Sequence, residues 1–475
     1  MNNRLPYLIR FKAITLCVFL LSIQNAYSQD LILEVPDNRI SDYNDYETFA
    51  SKKIDLDRNF IEPDLYERYK EIQEYRADYY TYLVKNDFFT WRSPTYFYVK
   101  NVFDSILISN PKINKDEVRL LLSRSRIPNA YSIGDGTIII NIGLIDFFNN
   151  DDQIAFVLCH ELAHYLNEHS KQKILSTIKK EHQDYKLIKK RQTSGTQFKK
   201  VIKSDVYDER RHQRVFEFEA DAEGLALFRN TSYSLSQVPS TILQLDLIDS
   251  ISYQISQERL LEVLKIDFKD NRRSFESDFS NDDLPENTKW NSDSLKTHPA
   301  CSLRSERLKE QLTTLNFTIN YSDVGKLHFN KMNVQAEMIE YMMYFEQFDL
   351  ALLQLLDNLE SNHNKGYSIG ALSYTLFNLA NYRRMHILNY AIEKDEDSLQ
   401  EVHIILIELL KSLRLDEISN SFSDVILDYY NDGYKSARML YSLAMLNKFA
   451  KNEELHLKFK KELEDSYPES RYKIL

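Results

Sequence analysis

Glycine is scarce in this chain, with 9 in 475 residues. Long stretches rich in Leu, Ile, Glu, Lys and Tyr therefore run without breakers, and propensity and punctuation both favour helix over sheet. After Ser28 no stretch approaches the roughly 20 apolar residues of a membrane-spanning helix, which excludes a polytopic membrane protein. An excess of positive charge is also missing: 60 Lys and Arg stand against 71 Asp and Glu, a net charge of −11. A chain this acidic is a poor ligand for a phosphate backbone, so nucleic acid is excluded as a partner. Cysteine is sparse too, with only Cys17, Cys159 and Cys301. The last two either pair or remain as buried free thiols.

What is present begins with a three-part leader. Arg4, Arg10 and Lys12 precede an apolar run from Ala13 to Ile23, and the small-residue sequence Ala26-Tyr27-Ser28 follows. This is the layout of a secretory signal peptide over 1–28, an uncleaved anchor being the alternative. Cleavage moves the net charge from −11 to −14, because the leader holds three basic residues and no acidic ones. Export is the expected fate, to the periplasm or beyond the cell.

Length allows two or three domains. Residues 29–95 read as an N-terminal helical segment, with Pro63 near the start of a helix that reaches Trp91. Pro94 to Ile108 and Lys115 to Ser123 continue in helical or mixed fashion. Pro128 to Gly143 carries three of the glycines and a β-branched run, and Asp135-Gly136 predicts a hairpin turn in a small sheet. Asn150, Asp151 and Asp152 are N-cap candidates for a long helix through His164. A basic insert follows over 171–214, read as a solvated helix extension and loop. Helices are expected over Glu217 to Phe228 and Val238 to Ile255, and the polar stretch Asp267 to Lys296 reads as an exposed loop able to act as a lid. From about 326 to 475 the pattern is helical throughout, either tetratricopeptide-like or a plain bundle.

Chemistry is concentrated in His160-Glu161-Leu162-Ala163-His164. Spacing of i and i+4 places both imidazoles on one helical face, where they can hold one Zn²⁺, and Glu161 lies within reach of a water on that ion. A catalytic zinc takes three protein ligands and keeps a position open. A metzincin third histidine is ruled out, because Ser170 and Asn167 occupy the positions it needs. His169, nine residues beyond His160 on a continuous helix, would point to the opposite face. The third ligand is therefore sought on another helix, in Phe216-Glu217-Phe218-Glu219-Ala220-Asp221. Glu217 can ligate while Asp221, one turn later, accepts the outer N–H of a ligating histidine; the rival Glu219 would face away from Asp221.

These motifs resemble the metallopeptidase family of CAAX prenyl proteases, HtpX, Oma-type proteases and periplasmic BepA, in which HExxH is followed by ExxxD and a downstream His-Pro with an arginine. Thr297-His298-Pro299-Ala300-Cys301-Ser302-Leu303-Arg304 supplies the last element. The resemblance covers about Ser123 to Leu312. It implies an α-rich α+β fold: a zincin-like (gluzincin) peptidase domain over 96–325 with a small sheet, followed by an all-α C-terminal domain. It implies catalytic Glu161, His298 and Arg304, the latter two as oxyanion stabilisers, with His160, His164 and Glu217 on one zinc ion per subunit. Arg304 is followed by Ser305 where the family has an aliphatic residue, whereas Arg307 is followed by Leu308, so either arginine is open. Asn129 and Ala130 resemble the family's substrate strand. The implied activity is hydrolysis of unfolded or misassembled exported polypeptides; the alternative is a periplasmic chaperone that binds clients through the C-terminal helices and keeps a latent zinc site.

Overall fold

A computed structural model of the chain describes residues 61–190, 214–248, 253–266, 301–320, 322, 323, 325, 328, 331–361, 364–392 and 400–472, with side chains 181–190 excepted. The leader, the end of the basic insert, the 267–296 loop and His298 lie outside the described residues. The described residues fall into two compact units, one from 61–248 with 301–334 and the other from 253–266 with 335–472. Residues 253–266 thus group with the C-terminal helices, outside the 96–325 domain expected from sequence.

In the first unit, α1 (Pro63–Lys85) starts on Pro63 and stops where Asp87 takes a left-handed φ of 62°. It does not reach Trp91, because Phe89–Thr90 forms strand β1. Then come α2 (Pro94–Ser109), capped by the Ser93 hydroxyl, β2 (Arg119–Ser123), β3 (Ala130–Ser132), β4 (Thr137–Asn141) and α3 (Ile142–Phe147). The mixed sheet has the order β1-β2-β4-β3, with β2 and β4 parallel at its centre and an antiparallel strand on each edge. Arg119–Ser123 was read as helical or mixed and is a strand. Its Leu-Leu-Leu core is buried on both faces, so it shows no alternation by which a short strand differs from a short helix. The hairpin between β3 and β4 turns on Gly134 and Gly136, both at positive φ, as Asp135-Gly136 predicted.

One face of the sheet receives α1, with Val84, Phe89, Leu121, Ile133 and Ile139 in a shared core. The HExxH helix α4 (Asp151–Leu166) packs against β3 and β4. It is capped by the Asn150 side chain, which accepts from Gln153 N, and nearly its whole length is buried. Beyond it lie α5 (His169–Lys190), α6 (residues 214–228), α7 (Val238–Leu245) and α8 (Cys301–Thr314). The side chains of α6 and α4 meet in an edge-to-face contact of Phe156 with Phe228, ring centres 5.7 Å apart, which adds about 0.5–1.5 kcal/mol beyond its burial.

The second unit is all-helical among its described residues. Phe348–Glu360 pairs with Lys365–Arg384, and Ala437–Phe449 with Glu453–Ser466. The spans Val334–Leu359 and Ala437–Tyr467, each read as one hairpin-sized segment, break at Glu346 and Lys451, both with φ of 60°. The helix Leu415–Asn431 agrees with the helical character expected from about 326 to 475. A buried ion pair closes this unit: Arg438 donates to both oxygens of Glu340 at 2.6 and 2.9 Å and to the Tyr472 hydroxyl at 2.7 Å. Among the described residues, no helix is long and apolar enough to cross a membrane.

Candidate metallopeptidase site

Two helices build the site. On α4, His160 and His164 sit one turn apart on the same face, and their Nε2 atoms approach to 3.0 Å. Helix α6 brings Glu217, whose carboxylate oxygens lie 3.6 Å from each of those nitrogens. Their approach depends on Gly224: a Cβ there would stand 3.0 Å from the His160 Cα. Glu217, Asp221 and Gly224 follow i, i+4, i+7 spacing, so one stripe of α6 carries the carboxylates and the bare backbone that lets them in.

These donors suit a metal. An unprotonated ring nitrogen offers a lone pair, so two such atoms 3.0 Å apart repel unless a proton or cation lies between them. With zinc-to-ligand bonds of about 2.0–2.1 Å, the edge of a coordination tetrahedron is about 3.3 Å; here the two Nε2 atoms are 3.0 Å apart, and each lies 3.6 Å from a different oxygen of Glu217. His160, His164 and Glu217 are the one group of three potential ligands that converges in this way among the described residues.

Charge around them is arranged from behind. His160 Nδ1 lies 3.0 Å from Asp221 Oδ1. Arg304, 1% exposed on α8, donates through Nε and Nη2 to Asp221 at 2.7 and 2.6 Å and places Nη1 2.8 Å from Glu217. Burial alone would press the His160 imidazole down, but Asp221 and Glu217 outweigh it and push the group up to about 10. Burial and the neighbouring His160 push His164 down to about 3. Asp221 is held below the usual carboxylate range: burial opposes this, and the hydrogen bonds from Arg304 and His160 overcome it.

Of the two arginines, Arg304 is the one at the candidate ligands, and its geometry differs from the oxyanion role implied by resemblance: all three nitrogens are directed at Asp221 and Glu217. Arg307 stacks its guanidinium 3.7 Å from the centre of the Phe218 ring. Glu161, 5% exposed, lines a cleft with Asn129, Ala130, His160, Cys301 and Arg304. Both Cys159 and Cys301 are free and buried. Burial raises both thiols, Cys301 to about 11, which disfavours the thiolate form at either position.

At the cleft's rim, β3 is an edge strand. Asn141 N donates to Asn129 O and Ile133 N to Thr137 O, at 2.9 and 3.2 Å. Antiparallel alternation therefore directs the N–H and C=O of Ala130 and Ser132 away from β4. Ser170 reaches the Ser132 carbonyl at 3.4 Å, so Ala130 is the residue whose outward main chain borders the cleft.

Two features escaped the sequence reading. The helix does not continue to His169: it ends at Leu166, Glu168 takes a φ of 54°, and α5 restarts at His169. His169 thus turns back toward the site instead of facing away. The second is Gly224, whose signal was legible as a glycine in mid-helix on the stripe of Glu217 and Asp221.

A buried HExxH helix packed on a small mixed sheet, with a glutamate from a second helix facing its histidines, defines a zincin-like metallopeptidase domain. Residues 98–312 match the model of peptidase family M48, which is what this part of the chain is similar to. That match supports a metallopeptidase function, which implies polypeptide substrates. No curated protein is similar enough to the chain to count as a match.

Proposed function

We propose that the chain is a zinc metalloendopeptidase of the exported, BepA-like kind, acting on unfolded or misassembled polypeptides. The observation that carries the chemistry is the convergence of His160, His164 and Glu217 on one point, with His160 and Glu161 both lining the adjoining cleft. These three residues hold the metal. Held there, zinc would supply Lewis-acid activation of a scissile carbonyl and of the attacking water. Glu161 takes the proton from the attacking water and delivers it to the leaving amine. Arg304 fixes Glu217 and Asp221, and Asp221 orients His160. His298 is left as the candidate donor to the developing oxyanion. An extended substrate adds to β3 through the outward N–H and C=O of Ala130, beside Asn129, by main-chain contacts that tolerate many side chains.

The test is Glu161→Gln. Purified E161Q should keep its zinc by metal analysis and lose casein hydrolysis by about 10²-fold or more; an undiminished rate rejects the mechanism. A second reading is favoured by the paired helices of the C-terminal unit, which resemble tetratricopeptide hairpins: they bind clients while the zinc site stays latent. Client binding that survives zinc removal, without chelator-sensitive casein degradation, would favour it.

A further inference from the structure

The outer nitrogens of the two site histidines are held differently. His160 Nδ1 faces Asp221, a carboxylate gripped by Arg304. His164 Nδ1 instead lies 2.9 Å from the Nδ1 of His169, and His169 Nε2 lies 3.1 Å from Glu219 Oε2. His169 is 4% exposed, and Phe216 stacks on its ring with centres 4.5 Å apart and planes 21° from parallel. Phe216 and Glu219 flank Glu217 on α6. The helix that supplies the third ligand therefore also grips the support of the second.

We infer that His169 and Glu219 form a positioning relay that orients His164 for the metal. The inference rests on the proposed ligand set. Once the His164 Nε2 lone pair faces the ion, the ring proton must sit on Nδ1. His164 Nδ1–H then donates to His169 Nδ1, His169 carries its own proton on Nε2, and Nε2–H donates to Glu219. With both imidazoles neutral, this is the only proton arrangement that satisfies both contacts, and it removes the rotational freedom of the His164 ring. A second histidine as acceptor, backed by a carboxylate 53% exposed, makes this support softer than the buried Arg304–Asp221 pair behind His160. Neither His169 nor Glu219 ligates the metal or touches substrate.

Zinc affinity of the full-length protein, measured by competition with a chromophoric chelator, tests the relay. His169→Ala should weaken zinc binding about 10–100-fold. His169→Phe keeps the stack on Phe216 but offers no acceptor, and should weaken it as much. His169→Asn places an amide oxygen near the position of Nδ1 and should recover most of the affinity, a rescue that a purely space-filling role does not predict. Glu219→Ala, at an exposed position that does not threaten folding, should cost a few-fold. If wild type binds zinc and His164→Ala does not, yet His169→Phe and Glu219→Ala match wild type, the relay is overturned while the ligand set stands. If wild type fails to bind zinc, the ligand set itself falls and the relay with it.

Discussion

Arg304→Met isolates what one buried cation does for the site. The side chain is 1% exposed, and its partners Asp221 and Glu217 are 4% and 13% exposed, so removing the guanidinium leaves two carboxylates with little water to replace it. Methionine preserves most of the volume, which limits the cavity contribution. Breaking a buried ion pair from one side costs about 3–5 kcal/mol, and two stranded acids place this case toward the upper end. For a unit of about 200 residues, each kcal/mol corresponds to roughly 2–4 °C of melting temperature. The metal-free variant should therefore melt about 6–20 °C below wild type. Zinc restores positive charge beside Glu217 and should narrow that difference. So should acid: Asp221 has a depressed pKa in the folded protein, so its contribution is fully present above its unfolded pKa of about 3.9. That contribution is lost as pH falls through the folded value. The variant lacks it, and the two proteins should converge below about pH 4. Thermal unfolding in excess chelator, repeated across pH, is the assay. A metal-free R304M that melts within about 2 °C of wild type, with an unchanged pH profile, refutes the clamp.

Gly224→Ala sets a Cβ 3.0 Å from the backbone of His160; it should destabilise by about 1–3 kcal/mol, and Gly224→Val should also lose zinc, as unfolding curves and metal analysis will show. Arg438→Met strands Glu340 in the helical unit and should cost that unit about 3–5 kcal/mol, read as an earlier transition in urea.

Much of the site was legible because helical spacing is a strong constraint. His160 and His164 lie on one face whatever the tertiary context, and Glu217 with Asp221 repeats that logic on α6. The Asn150 cap and the Asp135-Gly136 turn were equally local. What failed depended on context. His169 was misplaced because the break at Glu168 is made by an ordinary residue at positive φ, with no glycine or proline to announce it. Val334–Leu359 and Ala437–Tyr467 do each hold a helix pair, as their hairpin size suggests, but the turns at Glu346 and Lys451 carry no glycine or proline to mark their positions. Strand β2 was missed because burial on both faces erases alternation. The sequence left Arg304 and Arg307 open, because the orientation of Arg304 toward Asp221 and Glu217 is set by the approach of α8 to α6, which no local pattern encodes.

The central claim is that His160, His164 and Glu217 hold one zinc ion. Anomalous diffraction collected on both sides of the zinc absorption edge, from crystals of purified full-length protein, addresses it directly. The account predicts a single strong peak between the two Nε2 atoms and the Glu217 carboxylate, absent in crystals of His160→Ala. Zinc bound elsewhere on the chain, or a loaded protein with no peak at this point, would contradict it.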